Sequence, residues 1–157
     1  MDELSAPSGP AVALMQATVL IVDDVPENLA MLGELLRDAH YQVRVANSGR
    51  AALRFAAQQP RPDLILLDVM MPEMDGYQVL LALRDDPATR DIPVVFLTAL
   101  DDSRDEQRGL ELGAADYISK PIQPSVVLAR VRTQLEAKQA RDLLRGQNAF
   151  LEAEVAR

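Results

Sequence analysis

Three apolar runs in this chain each end in an oxygen-bearing side chain: Leu20-Ile21-Val22 before Asp23-Asp24, Leu64 to Leu67 before Asp68, and Val94 to Leu97 before Thr98. If the runs are parallel strands, their carboxyl ends meet at one edge of the sheet, where open α/β folds place their sites. Three carboxylates gathered there raise one another's pKa unless a hard divalent cation sits among them. The pattern therefore predicts a Mg2+ site. Ile118-Ser119-Lys120-Pro121 follows a short Tyr117-Ile118 strand candidate, so Lys120 brings an ammonium to the same edge, where it can bind an anion beside the metal. Taken singly, each residue has a plainer reading. Asp23 or Asp24 fits a helix cap before Pro26, Asp68 a loop cap, and Thr98 a β-branched residue at a strand end. What carries chemistry is the order: acid pair, acid, hydroxyl and lysine at successive strand ends.

The elements that must position these groups alternate short apolar strands with helices of about three turns, five times over, as in βα units around a parallel sheet. The first helix is expected to start near Pro26, with Glu27 in its first turn and Leu29, Leu32 and Leu36 facing the sheet. Val43 and Val45 alternate as an edge strand. Gly49 to Gln59 reads as the second helix, ended by Pro60 and Pro62. Met71 to Gly76 is a loop, and a third helix runs to about Arg84. Asp101 to Leu112 forms the fourth, closed by Gly113. Asp116 to Ser119 is a short fifth strand, and the last helix begins near Pro124 with only Gly146 to interrupt it before Arg157.

Size and charge narrow the function classes. A chain of 157 residues can bury roughly 68 to 70% of its unfolded surface, so no metal or disulfide is needed to hold it together. It has no cysteine, which excludes thiolate catalysis and Cys-based zinc binding and suits a reducing cytoplasm. The net charge of −8 argues against direct nucleic-acid binding, which needs a basic stripe. No stretch approaches the ~20 apolar residues of a membrane span, and Met1 to Gln16 lacks the features of a signal peptide. A soluble, cytoplasmic protein is expected. His40, the single histidine, falls at the end of the first helix and is given no role.

The ordered set Asp23/Asp24, Asp68, Thr98 and Lys120 resembles the receiver domain of two-component response regulators, over about Ala17 to Glu136. The resemblance implies a flavodoxin-like, doubly wound (βα)5 fold with a five-stranded parallel sheet in the order 2-1-3-4-5. It makes Asp68 the phosphoacceptor, a nucleophile that takes phosphate from a phosphohistidine. Mg2+, with Mn2+ as a substitute, is then held by Asp24, Asp68 and the Met70 backbone carbonyl, while Asp23 acts mainly through a bound water. Lys120 offsets phosphoryl charge, and Thr98 and Tyr117 form a switch pair: Thr98 moves toward the phosphoryl group and Tyr117 turns into the vacated space. A cis Lys120-Pro121 bond is a further family trait. The implied partners are a sensor histidine kinase or phosphotransfer protein and the chain's own C-terminal output domain, with self-phosphorylation and slow self-hydrolysis in place of turnover of a free substrate. Two rivals are weighed. A haloacid-dehalogenase-like phosphatase needs a second acid two residues after its nucleophile, where this chain has Met70. A pseudo-receiver scaffold that never carries phosphate has no need of the full acid set.

The expected boundaries are a flexible lead-in over residues 1–15, a receiver over 16–136 and a helical extension over 137–157. In the extension Ala137, Leu144 and Leu151 recur every seventh residue, with Arg141, Asn148 and Val155 four positions after each. That spacing resembles a parallel two-stranded coiled coil with a buried Asn, and hence a homodimer. A single amphipathic helix lying on its own domain is the alternative. The wording from Asn148 to Arg157 is similar to linkers that join receivers to HD-GYP phosphodiesterases acting on cyclic di-GMP, and GGDEF cyclases and histidine kinases use comparable helices.

Overall fold

The computed structural model describes residues 17–99 and 103–155; the lead-in expected over residues 1–15 lies outside them. Five parallel strands form one sheet in the order β2-β1-β3-β4-β5. They are β1 (Thr18–Val22), β2 (Gln42–Ala46), β3 (Leu64–Asp68), β4 (Val94–Thr98) and β5 (Asp116–Ser119). Every residue of β1, β3 and β4 is buried. Continuous apolar runs rather than alternating ones are what a strand covered on both faces requires. β2 is an edge strand, with Val43 half-buried and Val45 exposed.

Among the described residues five helices cover the two faces: α1 (Pro26–Asp38), α2 (Gly49–Ala57), α3 (Gly76–Asp85), α4 (Ser103–Glu111) and α5 (Pro124–Val155). On one face Ala52, Ala56, Val79, Leu80 and Leu83 from α2 and α3 pack on Leu20, Ile65, Leu67 and Phe96. On the other, Leu32 and Leu36 of α1 and Val127, Val131 and Leu135 of α5 pack on Ile21, Leu66 and Leu97. Leu29 is half-buried against the same group, so the expected stripe on α1 does face the sheet.

The helix ends follow local chemistry. Pro26 opens α1 at its first turn. Ser48 caps α2 through the Ala51 N–H at 3.2 Å. α3 begins with a capping box in which Asp75 accepts from the Gln78 N–H and the Gln78 side chain accepts from the Asp75 N–H, both at 2.9 Å. α2 ends at Ala57, two residues short of the expected Gln59, because Gln58 is already extended. α4 starts at Ser103 among the described residues; Asp101, its expected start, lies outside them. Gly113 closes it at φ +106°. His40 sits in the left-handed region at φ +74°, and its N–H bonds to the Arg37 carbonyl while the Tyr41 N–H bonds to that of Leu36. The two bonds make a Schellman motif with histidine in the place glycine usually takes.

α5 runs for 32 residues, about 48 Å at 1.5 Å per residue. It buries one stripe, Val127, Val131 and Leu135, while Pro124, Ser125, Ala129 and Arg130 are exposed; Ala137 to Gln139 are half-buried, and Ala140 to Arg145 are exposed. Lys138 reaches Asp63 and Arg145 reaches Asp91, each at 3.5 Å. Leu143 and Leu144 are 63% and 58% exposed. The side chains of Asn148 and Leu151, on which the coiled-coil spacing also depends, lie outside the described residues.

Candidate functional site

The parallel register places the ends of β1, β3 and β4 side by side: Val22 pairs with Leu67, and Asp68 with Leu97. Asp23, one residue past β1, is fully buried, Asp68 is 3% exposed, and Asp24 is exposed. One carboxylate oxygen from each of the three lies within 4.8 Å of the others. The chain that supplies Asp23 does not use it as the cap of α1. The cap position is Val25, whose side chain makes no capping bond. Instead Asp23 accepts from the Val25 N–H at 2.9 Å and from the Asn28 amide at 3.0 Å, which fixes its orientation at the mouth of the sheet.

Lys120 enters from the end of β5. Its ammonium donates to Asp68 at 3.3 Å and to Asp23 at 3.5 Å. Its backbone N–H bonds to the Thr98 carbonyl at 2.7 Å, and its bond to Pro121 is cis. Asp68 is pushed up to about 6, mainly by burial and then by the Asp23 carboxylate; Lys120 and the Met70 backbone N–H pull the other way without offsetting these. One ammonium among three carboxylates leaves the pocket short of positive charge. Oxygen-only donors, converging and partly desolvated, fit a hard cation such as Mg2+.

The surrounding backbone is built for close approach. A Cβ on Gly76 would lie 2.6 Å from the Asp68 carbonyl and 2.9 Å from the Val69 Cα, so only glycine lets the start of α3 reach this loop. The Gly76 N–H ties it there through the Val69 carbonyl at 2.9 Å. Met70 leaves its side chain 63% exposed. Thr98 is buried, Tyr117 is half-buried, and both line a narrow gap with Val69, Tyr77 and Phe96. The structure thus brings together Asp23, Asp24, Asp68 and Lys120, with Thr98 on the neighbouring strand end. Exposed His40 belongs to the end of α1. The sequence reading missed Asn28 and Gly76 as supports of the site. The Asp75-x-x-Gln78 spacing, a capping signature, points to where α3 begins and hence to Gly76.

A response regulator receiver domain family model matches residues 19–132, and the chain belongs to that family. Among curated proteins it is 46% identical over 144 residues to a probable cyclic di-GMP phosphodiesterase of Vibrio cholerae, covering 92% of this chain and 32% of that protein. It is 47% identical over 135 residues to the response regulator PleD of Caulobacter vibrioides, covering 86% of this chain and 30% of PleD. The chain thus spans about a third of the length of these relatives. Among solved structures it matches the signal receiver domain of a histidine kinase from Syntrophus aciditrophicus with a TM-score of 0.70 and 43% identity, over 77% of this chain and 91% of that one. The protein is a response-regulator receiver domain with a CheY-like fold. Neither the phosphatase nor the pseudo-receiver rival finds support in these matches.

Proposed function

We propose that Asp68 is the phosphoacceptor of this receiver and that it takes its phosphoryl group from the phosphohistidine of a sensor kinase or phosphotransfer protein. A carboxylate oxygen of Asp68 attacks phosphorus, the O–P bond forms as the N–P bond breaks, and the imidazole nitrogen leaves with the bonding pair. Asp24, Asp68 and the Met70 carbonyl would hold Mg2+ or Mn2+, with Asp23 acting through water, and the ion would supply charge stabilisation for the phosphoryl oxygens. Lys120, already within hydrogen-bond reach of Asp68, turns its ammonium to one of those oxygens. Asn28 and the Val25 N–H keep Asp23 aimed at the site. The Thr98 hydroxyl donates to the phosphoryl group, and Tyr117 turns inward behind it.

The observation that carries this reading is the contact of Lys120 with both Asp68 and Asp23 inside the carboxylate group. Incubation with acetyl phosphate and Mg2+ tests it. Expected is one acid-stable, base-labile phosphoryl group per chain, absent from Asp68→Asn and much reduced in Lys120→Met. Steady turnover of phosphate esters would point to the phosphatase, and label retained by Asp68→Asn would end the proposal.

Residues 16–136 act as the receiver, and residues 137–157 begin the connection to an output domain. The likeness to a protein named as a probable cyclic di-GMP phosphodiesterase supports an output of that activity for the parent protein; we assign it to the HD-GYP type and place the protein in the cytoplasm. Among the described residues no helix is long and apolar enough to cross a membrane. The exposed Leu143 and Leu144 support pairing of two copies through the extension. Reading the gene past Arg157 tests the output, and a DNA-binding domain there would overturn it.

A further inference from the structure

The gap lined by Thr98 and Tyr117 has walls from several elements; α4 contributes Leu110 directly, and the two residues before it hold the helix against the other walls. Gly109 lies directly against Phe96, since a Cβ there would meet the ring at 2.7 and 2.8 Å. Leu110 lines the gap and is 46% exposed. Arg108 holds its guanidinium carbon 4.3 Å from the centroid of the Tyr77 ring, well inside the ~6 Å reach of a cation–π contact. Tyr77 in turn meets Phe96 edge-on, with centroids 5.3 Å apart. Cation, ring and ring therefore form one stack joining α4, α3 and β4.

Tyr117 stands between two spaces of very different size. On the inner side the free volume is about 10 Å³, close to the minimum for a single water. On the outer side a cleft of about 290 Å³ is lined by Lys120, Pro121, Val126 and Arg130. The space Thr98 gives up by moving toward the phosphoryl group is that of a small side chain, so a phenol ring enters the inner gap only if a further wall gives way. Phe96 sits in a fully buried strand, and Tyr77 follows the capping box that fixes the start of α3. The wall from α4 is the one with exposed Arg108 and Leu110, so α4 yields, and the contact it must loosen is the one between Arg108 and Tyr77.

We propose that Arg108 is a positioning residue of the switch: its guanidinium on the Tyr77 ring latches α4 over the gap and opposes the entry of Tyr117. The inference rests on the reading of Thr98 and Tyr117 given under Proposed function. The test is 19F NMR of the chain carrying 3-fluorotyrosine at its three tyrosines, assigned with single Tyr→Phe variants, with and without Mg2+ and beryllofluoride as the phosphoryl mimic. In Arg108→Gln, the inward population of Tyr117 without mimic is expected to rise two- to fivefold, a factor matching an exposed cation–π contact of about 0.5–1 kcal/mol. Beryllofluoride affinity should tighten by the same factor, because the two equilibria are linked. Arg108→Lys should restore part of the parental behaviour. In a Tyr77→Leu background, which itself reshapes the gap, Arg108→Gln should have no further effect. If the mimic moves Tyr117 in the parent but Arg108→Gln leaves population and affinity at parental values, the latch is overturned and the switch reading stands. An Arg108→Gln effect that persists undiminished in a Tyr77→Leu background overturns the latch too. Should the mimic leave Tyr117 in place in the parent, the switch reading falls and the latch with it.

Discussion

Burial and the neighbouring Asp23 carboxylate make Asp68 harder to ionise than a carboxylate in water. Its folded pKa of about 6 lies above the ordinary value of 3.8, so between those limits the native state binds more protons than the unfolded chain. Stability without metal then falls as pH rises through that window and levels off above it. A shift of this size corresponds to about 1–3 kcal/mol. Asp68→Asn should therefore raise the urea midpoint of the metal-free protein at pH 7 and flatten its decline between about pH 4 and pH 6, in urea titrations across that range. A steeper decline in the variant would contradict this origin of the shift. Metal should recover what the carboxylates cost: Mg2+ at a hundred times its Kd is expected to add about 2.7 kcal/mol. Thermal shifts in a Mg2+ titration should show that gain, with Asp24→Asn displacing the curve to higher concentration.

At the scale of elements, α1 and α3 are fixed by single backbone positions. His40 holds a left-handed conformation at the end of α1 without being glycine, and His40→Gly should add about 0.5–1 kcal/mol in urea unfolding. Gly76→Ala has the opposite sign. The methyl would strike the Asp68 backbone, and the variant should lose about 1–3 kcal/mol together with its labelling by acetyl phosphate. β1, β3 and β4 were legible because buried parallel strands write themselves as unbroken apolar runs, and α1 because Leu32 and Leu36 keep one face. The site acids were legible for the same reason, since each ends such a run. Gly76 and Asn28 were not: their value lies in contacts with Asp68 and Asp23, which are distant along the chain or off the helical stripe. The end of α2 was misjudged by two residues because the two following prolines mark where a helix must have stopped, not where it does.

Across the whole molecule, the acidic pocket lies at the carboxyl edge of the sheet, while Asp63 and Asp91 precede β3 and β4 at the other edge. If residues from 137 onward pair two copies, sedimentation should show a dimer in the intact chain and a monomer for Leu144→Glu, with the urea midpoint little changed because Leu144 is exposed. A dimer that survives the substitution would place the contact elsewhere. α5 starts beside the edge that holds Lys120, crosses the domain and meets Asp63 and Asp91, at the other edge, through Lys138 and Arg145. It is therefore a lever with its fulcrum inside the receiver. Tilting by about 5° about its first turn would swing the far tip of a rod about 48 Å long through about 4 Å, so a sub-ångström adjustment beside Lys120 has grown several-fold by the far end of the helix.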